Sequence, residues 1–527
     1  MRKLWYNGLI YTMEKEGETV EAILTEGDKI LQLGTVAQLT GLADEQINLH
    51  GAVVYPGFVD SHIHLIMYGQ KLQRLDLSGV ASKEEMLAIL QERALTLQEE
   101  EWLFGEGWNE NNFPDGSIPS IEELDAVYKG PIILSRICHH VYLCNTEAMR
   151  RGGITRESEN PPGGEIGRNS KGELNGLLYE QAKTLVYEAA QPHGKDFVRM
   201  LEQSLQLAVD DMLKRGIVGA HTEEMSYFGH YTNPLTAYKN VMKKKRFRVN
   251  LLRHHEVFKQ MMEDGAVFDE PFVEPGAMKI FADGSLGGST AALIEPYEDD
   301  PASFGMLIHT DEQIENYVKL ARYYGEAIAV HLIGDAGIEQ LLDVVERYPA
   351  PAGKRDRFIH CCVLGDDLVA RMKKLPIIID IQPSFVTSDF PWVEKKLGQK
   401  RLPWAYAWKR LLDEGFMCAA GTDAPIEDVE PLKTIYAAVE RKLPGESHEG
   451  YGIAEKLSRF EAVKMYTYGS AQAICKEHER GLIKEGYVAD LTIFDRDLFE
   501  GSSDEMLKAN VEKTVVGGKI VYERGEK

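Results

Sequence analysis

Between residues 196 and 423 one unit recurs: a stretch with helical apolar spacing, then a short, almost continuously apolar run that ends on a polar residue. Leu201, Leu205, Ala208 and Met212 fall on one helical face, Gly216 stops the helix, and a strand runs from Ile217 to His221. Ile314, Val318 and Ala321, stopped by Gly325, precede the run from Ala327 to His331. Ile338, Leu341 and Val345 precede the run from Arg357 to His360, and Leu368 with Met372 precedes Ile377 to Gln382. Leu411, Leu412 and Gly415 lead into Met417 to Asp423. Apolar strands without polar alternation, set between helices, indicate a parallel sheet covered on both faces. Strands beginning near Val53, Ile217, Arg248, Met278, Ile328, Phe358, Ile377 and Met417 make eight. Eight parallel strands close most naturally into an α/β fold of the (β/α)8 TIM-barrel type, whose reactive residues sit at the C-terminal strand ends.

The flanks do not belong to that pattern. Short strands near Leu9, Ala22 and Lys29, and again near Asp490 and Val511, are separated by glycines and charges. They predict a small β-sandwich domain made from residues 1–52 and 478–527 around a barrel of 53–477. Residues 66–200 are too many for one strand–helix connection, so they are expected to be an inserted subdomain reaching over the barrel mouth. A chain of 527 residues, 44% hydrophobic and 27% charged, can fill such a core. Its 59 basic and 83 acidic residues give a formal charge of -24, which argues against nucleic acid and anionic membranes as partners. No apolar run reaches the length of a membrane span and no signal-like segment follows Met1, so a cytoplasmic location is expected. Cys138, Cys144, Cys361, Cys362, Cys418 and Cys475 lack C-x-x-C spacing and read as reduced thiols. A small-molecule substrate is the expected partner, with a homodimer left open.

The phrase from Pro56 to Leu65 places two imidazoles, His62 and His64, two residues apart at a strand end. Positions i and i+2 of a strand share a face, so both rings can converge on one metal ion. Asp60 is close enough in sequence to orient an imidazole N–H. His331, His360 and Asp423 end later strands and complete a candidate ligand set. Lys279 interrupts a strand expected to be buried, and two reactions suit such an amine. Desolvated and neutral, it can take up carbon dioxide and become a bridging carbamate; charged, it would pair with Asp283 or an anionic substrate. Asp423 is either a general base or a helix cap. His140, His221, His254 and His255 remain as pocket-wall or structural histidines, and the tryptophans as pocket or core.

These phrases together resemble the amidohydrolase superfamily, and within it the YtcJ-like branch that includes N-substituted formamide deformylases. The resemblance spans nearly the whole chain. It rests on Pro56 to His64, Lys279 to Gly287 with Thr290 and Ala291, His331 to Ala336, His360, Gln382–Pro383 and Gly421 to Pro425. Trp108, Leu124–Asp125, His140 with Asn145, Pro162 to Glu165 and Gly176 to Leu178 with Glu180 resemble motifs of the branch's substrate region, and Gly486 to Leu491 its return to the small β domain. The resemblance implies two divalent metal ions, expected to be zinc, held by His62, His64, a carbamylated Lys279, His331, His360 and Asp423. It places Trp108, His140 and Asp283 at the substrate. Asn109, Ser117 and Ile359 depart from residues common in the branch, which bears on substrate choice and removes no metal ligand.

The expected activity is hydrolysis of a carbon–nitrogen bond outside peptides, in an amide, N-formyl or cyclic amide group. A hydroxide bridging two metals would attack the carbonyl carbon, Asp423 would relay the water proton to the leaving nitrogen, and His140 would steady the oxyanion. Two alternatives stand beside it: a mononuclear zinc deaminase on the same barrel, which has no need of Lys279, and a non-catalytic scaffold. Retention of every histidine and aspartate of the ligand set argues against the scaffold.

Overall fold

A computed structural model of the chain describes residues 1–525 apart from 99, 115, 139, 193 and 391. Eight parallel strands form one sheet in chain order: β1 (Phe58–Ile63), β2 (Ile217–Glu223), β3 (Arg248–His254), β4 (Val273–Phe281), β5 (Ile328–Leu332), β6 (Asp356–His360), β7 (Ile377–Ile381) and β8 (Cys418–Ala420). The sheet returns on itself where β8 ends. There the Asp423 amide donates to the His62 carbonyl at 2.7 Å and the His64 amide to the Ala424 carbonyl at 2.8 Å. Gly421 makes this approach sterically feasible, because a Cβ there would lie 2.4 Å from the His62 nitrogen. Helices cover the outside, among them α1 (His255–Glu263), α2 (Asp311–Tyr323) and α3 (Asp335–Val345). Their apolar faces, including Phe258, Ile314, Val318, Ile338 and Leu341, join Ile280, Val330, Phe358 and Ile379 in the main core.

The interior of the barrel is thin. Leu252, Ala277, Ala329 and Ile359 form a small inward layer, and on the same strand faces β3 to β6 also carry His254, Lys279, His331 and Arg357. Arg357 lies buried inside, pairs with Asp380 of β7 and donates to the Ser61 carbonyl of β1 at 2.5 Å.

The first barrel strand starts later than the apolar pattern predicts. Val53–Pro56 pairs with strands Arg2–Tyr11 and Leu491–Phe494 in a different sheet, and only after Gly57 does the chain enter the barrel. Pro56–Gly57 divides one apolar run between two sheets. That second sheet joins strands from both chain ends, eight in all, around a core that includes Trp5, Ile23, Val54, Ile493 and Val515. It is the small sandwich domain beside the barrel.

Residues Gly69–Ser204 form a separate compact unit. Its six-stranded mixed sheet runs in the order Gly164–Arg168, Leu174–Glu180, Val141–Cys144, Ile132–Arg136, Leu103–Trp108 and Leu75–Asp76. Two apolar clusters of its own, one with Trp108, Leu124 and Leu134 and one with Tyr142, Ile166 and Leu178, hold it together.

Candidate metal centre

Four imidazoles, one carboxylate and one amine meet at the C-terminal end of the barrel strands. His62 Nε2 lies 3.5 Å and His64 Nε2 3.2 Å from Asp423 Oδ1. Lys279 Nζ is 3.3 Å from His62 Nε2. The ring centres of His62 and His360 are 5.6 Å apart, and those of His331 and His360 are 4.5 Å apart. Three of the rings are anchored on one nitrogen: His64 Nδ1 by the Glu223 carbonyl at 2.8 Å, His331 Nε2 by the Gly284 carbonyl at 3.0 Å, and His360 Nδ1 by Gln382 Oε1 at 2.6 Å. Anchoring of this kind fixes the tautomer and leaves the other nitrogen as a lone-pair donor. His360 Nε2 is buried with no hydrogen-bond partner among the described residues, as is His62 Nδ1. Buried nitrogens left unpaired are costly, and a cation is what such a set of donors can take.

Two of these positions depend on unusual backbone. Inward and outward residues alternate along β6, and Ile359 points inward, so His360 should point out. Its φ of +77 turns the ring back toward the others, and Asp423 likewise sits at +58. Asp423 does not cap a helix, since the next one begins at Pro431.

The electrostatics suit ligation. Burial drives His62 and His331 well below the usual histidine range and His360 down to about 4, so these rings are neutral. Burial would raise Asp423, but His64, His360 and Lys279 outweigh it and keep it ionised. Burial brings Lys279 down to about 8 against the pull of Glu223 and Asp423.

The Amidohydrolase family profile matches residues 45–522, nearly the whole chain. The chain belongs to the amidohydrolase family. It is 42% identical to the putative amidohydrolase YtcJ of Bacillus subtilis, over 99% of this chain and all of the relative. It is 25% identical to the N-substituted formamide deformylase of Arthrobacter pascens, over 98% of each chain. The crystal structure of an uncharacterized metal-dependent hydrolase from Pyrococcus furiosus superposes with a TM-score of 0.77 at 28% identity, covering 95% of this chain and all of that one. The fold is thus that of the metal-dependent amidohydrolases, a family of hydrolases acting on small molecules. No helix among the described residues is long and apolar enough to cross a membrane.

Within this amidohydrolase frame the other candidate residues have the following surroundings. Asp60 does not orient an imidazole. Its carboxylate accepts the His62 amide at 3.1 Å and the Thr422 amide and hydroxyl, the last at 2.6 Å, so it ties β1 to the segment after β8. Asp283, expected at the substrate, has its oxygens committed to the main-chain amides of Ala292, Ile333 and Gly334 at 2.7–3.0 Å. Trp108 is fully buried in the core of the Gly69–Ser204 unit, its indole donating to the Leu134 carbonyl at 3.3 Å. His140 lies exposed in that unit and is paired with Glu180 at 2.9 Å. His221 is buried within β2.

Sequence reasoning missed Glu223 and Tyr227. Glu223 ends β2 facing the barrel interior, with both carboxylate oxygens buried and unpartnered among the described residues; burial pushes it up to about 8. The signal was present, because Glu223–Glu224 closes a strand of the same kind as those ending on histidines. Tyr227 stacks on His64 with ring centres 5.6 Å apart. Gln382 was noted only as part of a motif, and its hold on His360 was not.

Proposed function

We propose that the protein is a binuclear, zinc-loaded amidohydrolase that cleaves the carbon–nitrogen bond of a small amide, N-formyl or cyclic amide substrate. The observation that carries this reading is the convergence of three neutral imidazoles, His64 and ionised Asp423 around the buried amine of Lys279. Two cations so close together need an anion between them, and Lys279 is the residue placed to become one. With a pKa near 8 an appreciable share of its amine is neutral at neutral pH, the form that takes up carbon dioxide. A mononuclear deaminase would leave this lysine without a task.

Divalent ions held by His62, His64, Lys279, His331, His360 and Asp423 would supply water of lowered pKa and polarise the substrate carbonyl. The residues do the remainder. Asp423 Oδ1, 3.2 Å from His64 Nε2, accepts the proton of the attacking water and passes it to the leaving nitrogen. Gln382, Gly284 and the Glu223 carbonyl keep the imidazoles from turning away. His140, raised toward its protonated form by Glu180, is proposed as a donor to the developing oxyanion. The name of the Arthrobacter relative puts N-substituted formamides at the head of the substrate panel.

The test combines metal analysis with that panel. The zinc-loaded chain is expected to turn over at least one such substrate, to lose activity with chelator and to regain it with zinc. Lys279→Ala should lose one metal of the pair and most activity, with partial rescue by a short carboxylate. Full metal content and turnover in Lys279→Ala would sink the bridging role.

A further inference from the structure

A second group of histidines lies where β3 runs into α1. His254 ends the strand and His255 and Glu256 open the helix. One ligand atom from each of the three lies within 4.8 Å of the others. His254 Nδ1 stands 3.6 Å from Glu256 Oε2. A third imidazole lies beside them in the loop before α2, where the ring of His309 packs edge-on against His255 with centres 5.0 Å apart. Tyr317 of α2 closes the group, 4.5 Å from His255 and 5.1 Å from His309 between ring centres. The rings of Tyr227 and Phe281 stand between this group and the centre at Asp423. Tyr227 packs on His64 and His254, and Phe281 on His254 and His331.

We propose that His254, His255 and Glu256, joined by His309, form an additional site for a zinc-class divalent cation, separate from the centre built on Asp423.

Histidines that serve only packing normally have their buried nitrogens hydrogen-bonded. Here His255 Nδ1 and His309 Nε2 are both buried without a partner among the described residues. Each is a cost to the fold, and one cation would remove both at once. His254 Nδ1 accepts the Glu256 amide at 3.3 Å as the cap of α1, so the lone pair of that ring lies on Nδ1, on the side of Glu256. The positive end of α1 opposes a cation. The Glu256 carboxylate in its first turn offsets that, and gives the ion one anionic donor. Three nitrogens and one oxygen suit zinc or a similar ion, whereas calcium and magnesium call for oxygen donors.

The experiment counts metal in the full chain after zinc loading and gel filtration, then titrates the stripped protein with zinc against a chromophoric chelator. Wild type should hold one equivalent more than His255→Gln or His309→Gln, and Asp423→Ala should retain that equivalent while losing metal from its own centre. Glu256→Gln changes an exposed side chain and should fold. It should weaken the corresponding zinc class by about tenfold or more. Cobalt in place of zinc should give visible d–d bands that His255→Gln diminishes. If all these variants hold the wild-type number of equivalents with unchanged affinity, the site is overturned. Loss of metal in Asp423→Ala alone would leave the hydrolytic centre standing without it.

Discussion

Asp423 carries the most chemistry of any single residue in the proposed mechanism, and its backbone stands at φ +58. Asparagine keeps its shape but cannot take the water proton. Asp423→Asn is therefore expected to lower turnover by about two to four orders of magnitude, measured on the best substrate with metal content determined in parallel. Turnover within about a few-fold of wild type, far short of the loss expected for a missing base, would remove the proton relay from the mechanism. Away from the centre, Asp389 offers a pH handle. Burial raises it from 3.8 to about 6, although the Tyr406 hydroxyl bonded to it works the other way. A carboxyl that holds its proton more tightly when folded contributes its full stability below about pH 4 and loses it as pH rises through 6. Asp389→Asn should flatten that part of the melting temperature profile between about pH 4 and 6, read by calorimetry across the range. At this scale His62 and His64 were legible, because a two-residue spacing in a strand has one geometric meaning. Glu223 was passed over because its significance lies in having no partner, and partners are not written in sequence.

Among the elements, β1, β6 and β7 are joined by charge as well as by ladder hydrogen bonds. Arg357 on β6 reaches Asp380 on β7 and the Ser61 carbonyl on β1, and Ser61 itself donates to Asp380. All of these groups are buried, so removal of one partner leaves a charge without compensation. Asp380→Ala should cost about 3–5 kcal/mol, whereas Arg357→Met combined with Asp380→Leu should restore most of it. Denaturant midpoints for the two variants decide the matter, and equal losses in single and double variants would contradict it. The helical and strand periods made the barrel strands legible from Ile217 onward. The exception is instructive: Val53–Pro56 has the apolar character of a barrel strand, and only its ladder partners assign it to the small domain.

In the whole molecule, Gly69–Ser204 has its own sheet and its own apolar cores. His140 belongs to this unit, and its proposed role as oxyanion donor is open to a single variant. His140→Ala should lower turnover by about a hundredfold with metal content and Michaelis constant little changed, as expected for a donor used only while charge develops. Unaltered kinetics would reduce the imidazole to an exposed ion pair with Glu180.

The repeat of helix and apolar strand, with polar residues at the strand ends, determined the barrel and the end at which chemistry collects, because periodicity and strand polarity are properties of the chain itself. The sequence also held the residue types of the centre in His62, His64, Lys279, His331, His360 and Asp423. Tertiary structure decided how they face one another. Strand alternation alone turns His360 outward, and only a backbone at φ +77, held by Gln382 across from β7, brings it in. It likewise assigned Asp60, Asp283 and Trp108 to main-chain bonds and core packing, and drew His254, His255 and His309 together. These outcomes depend on contacts between residues far apart in the chain, and no local pattern encodes them.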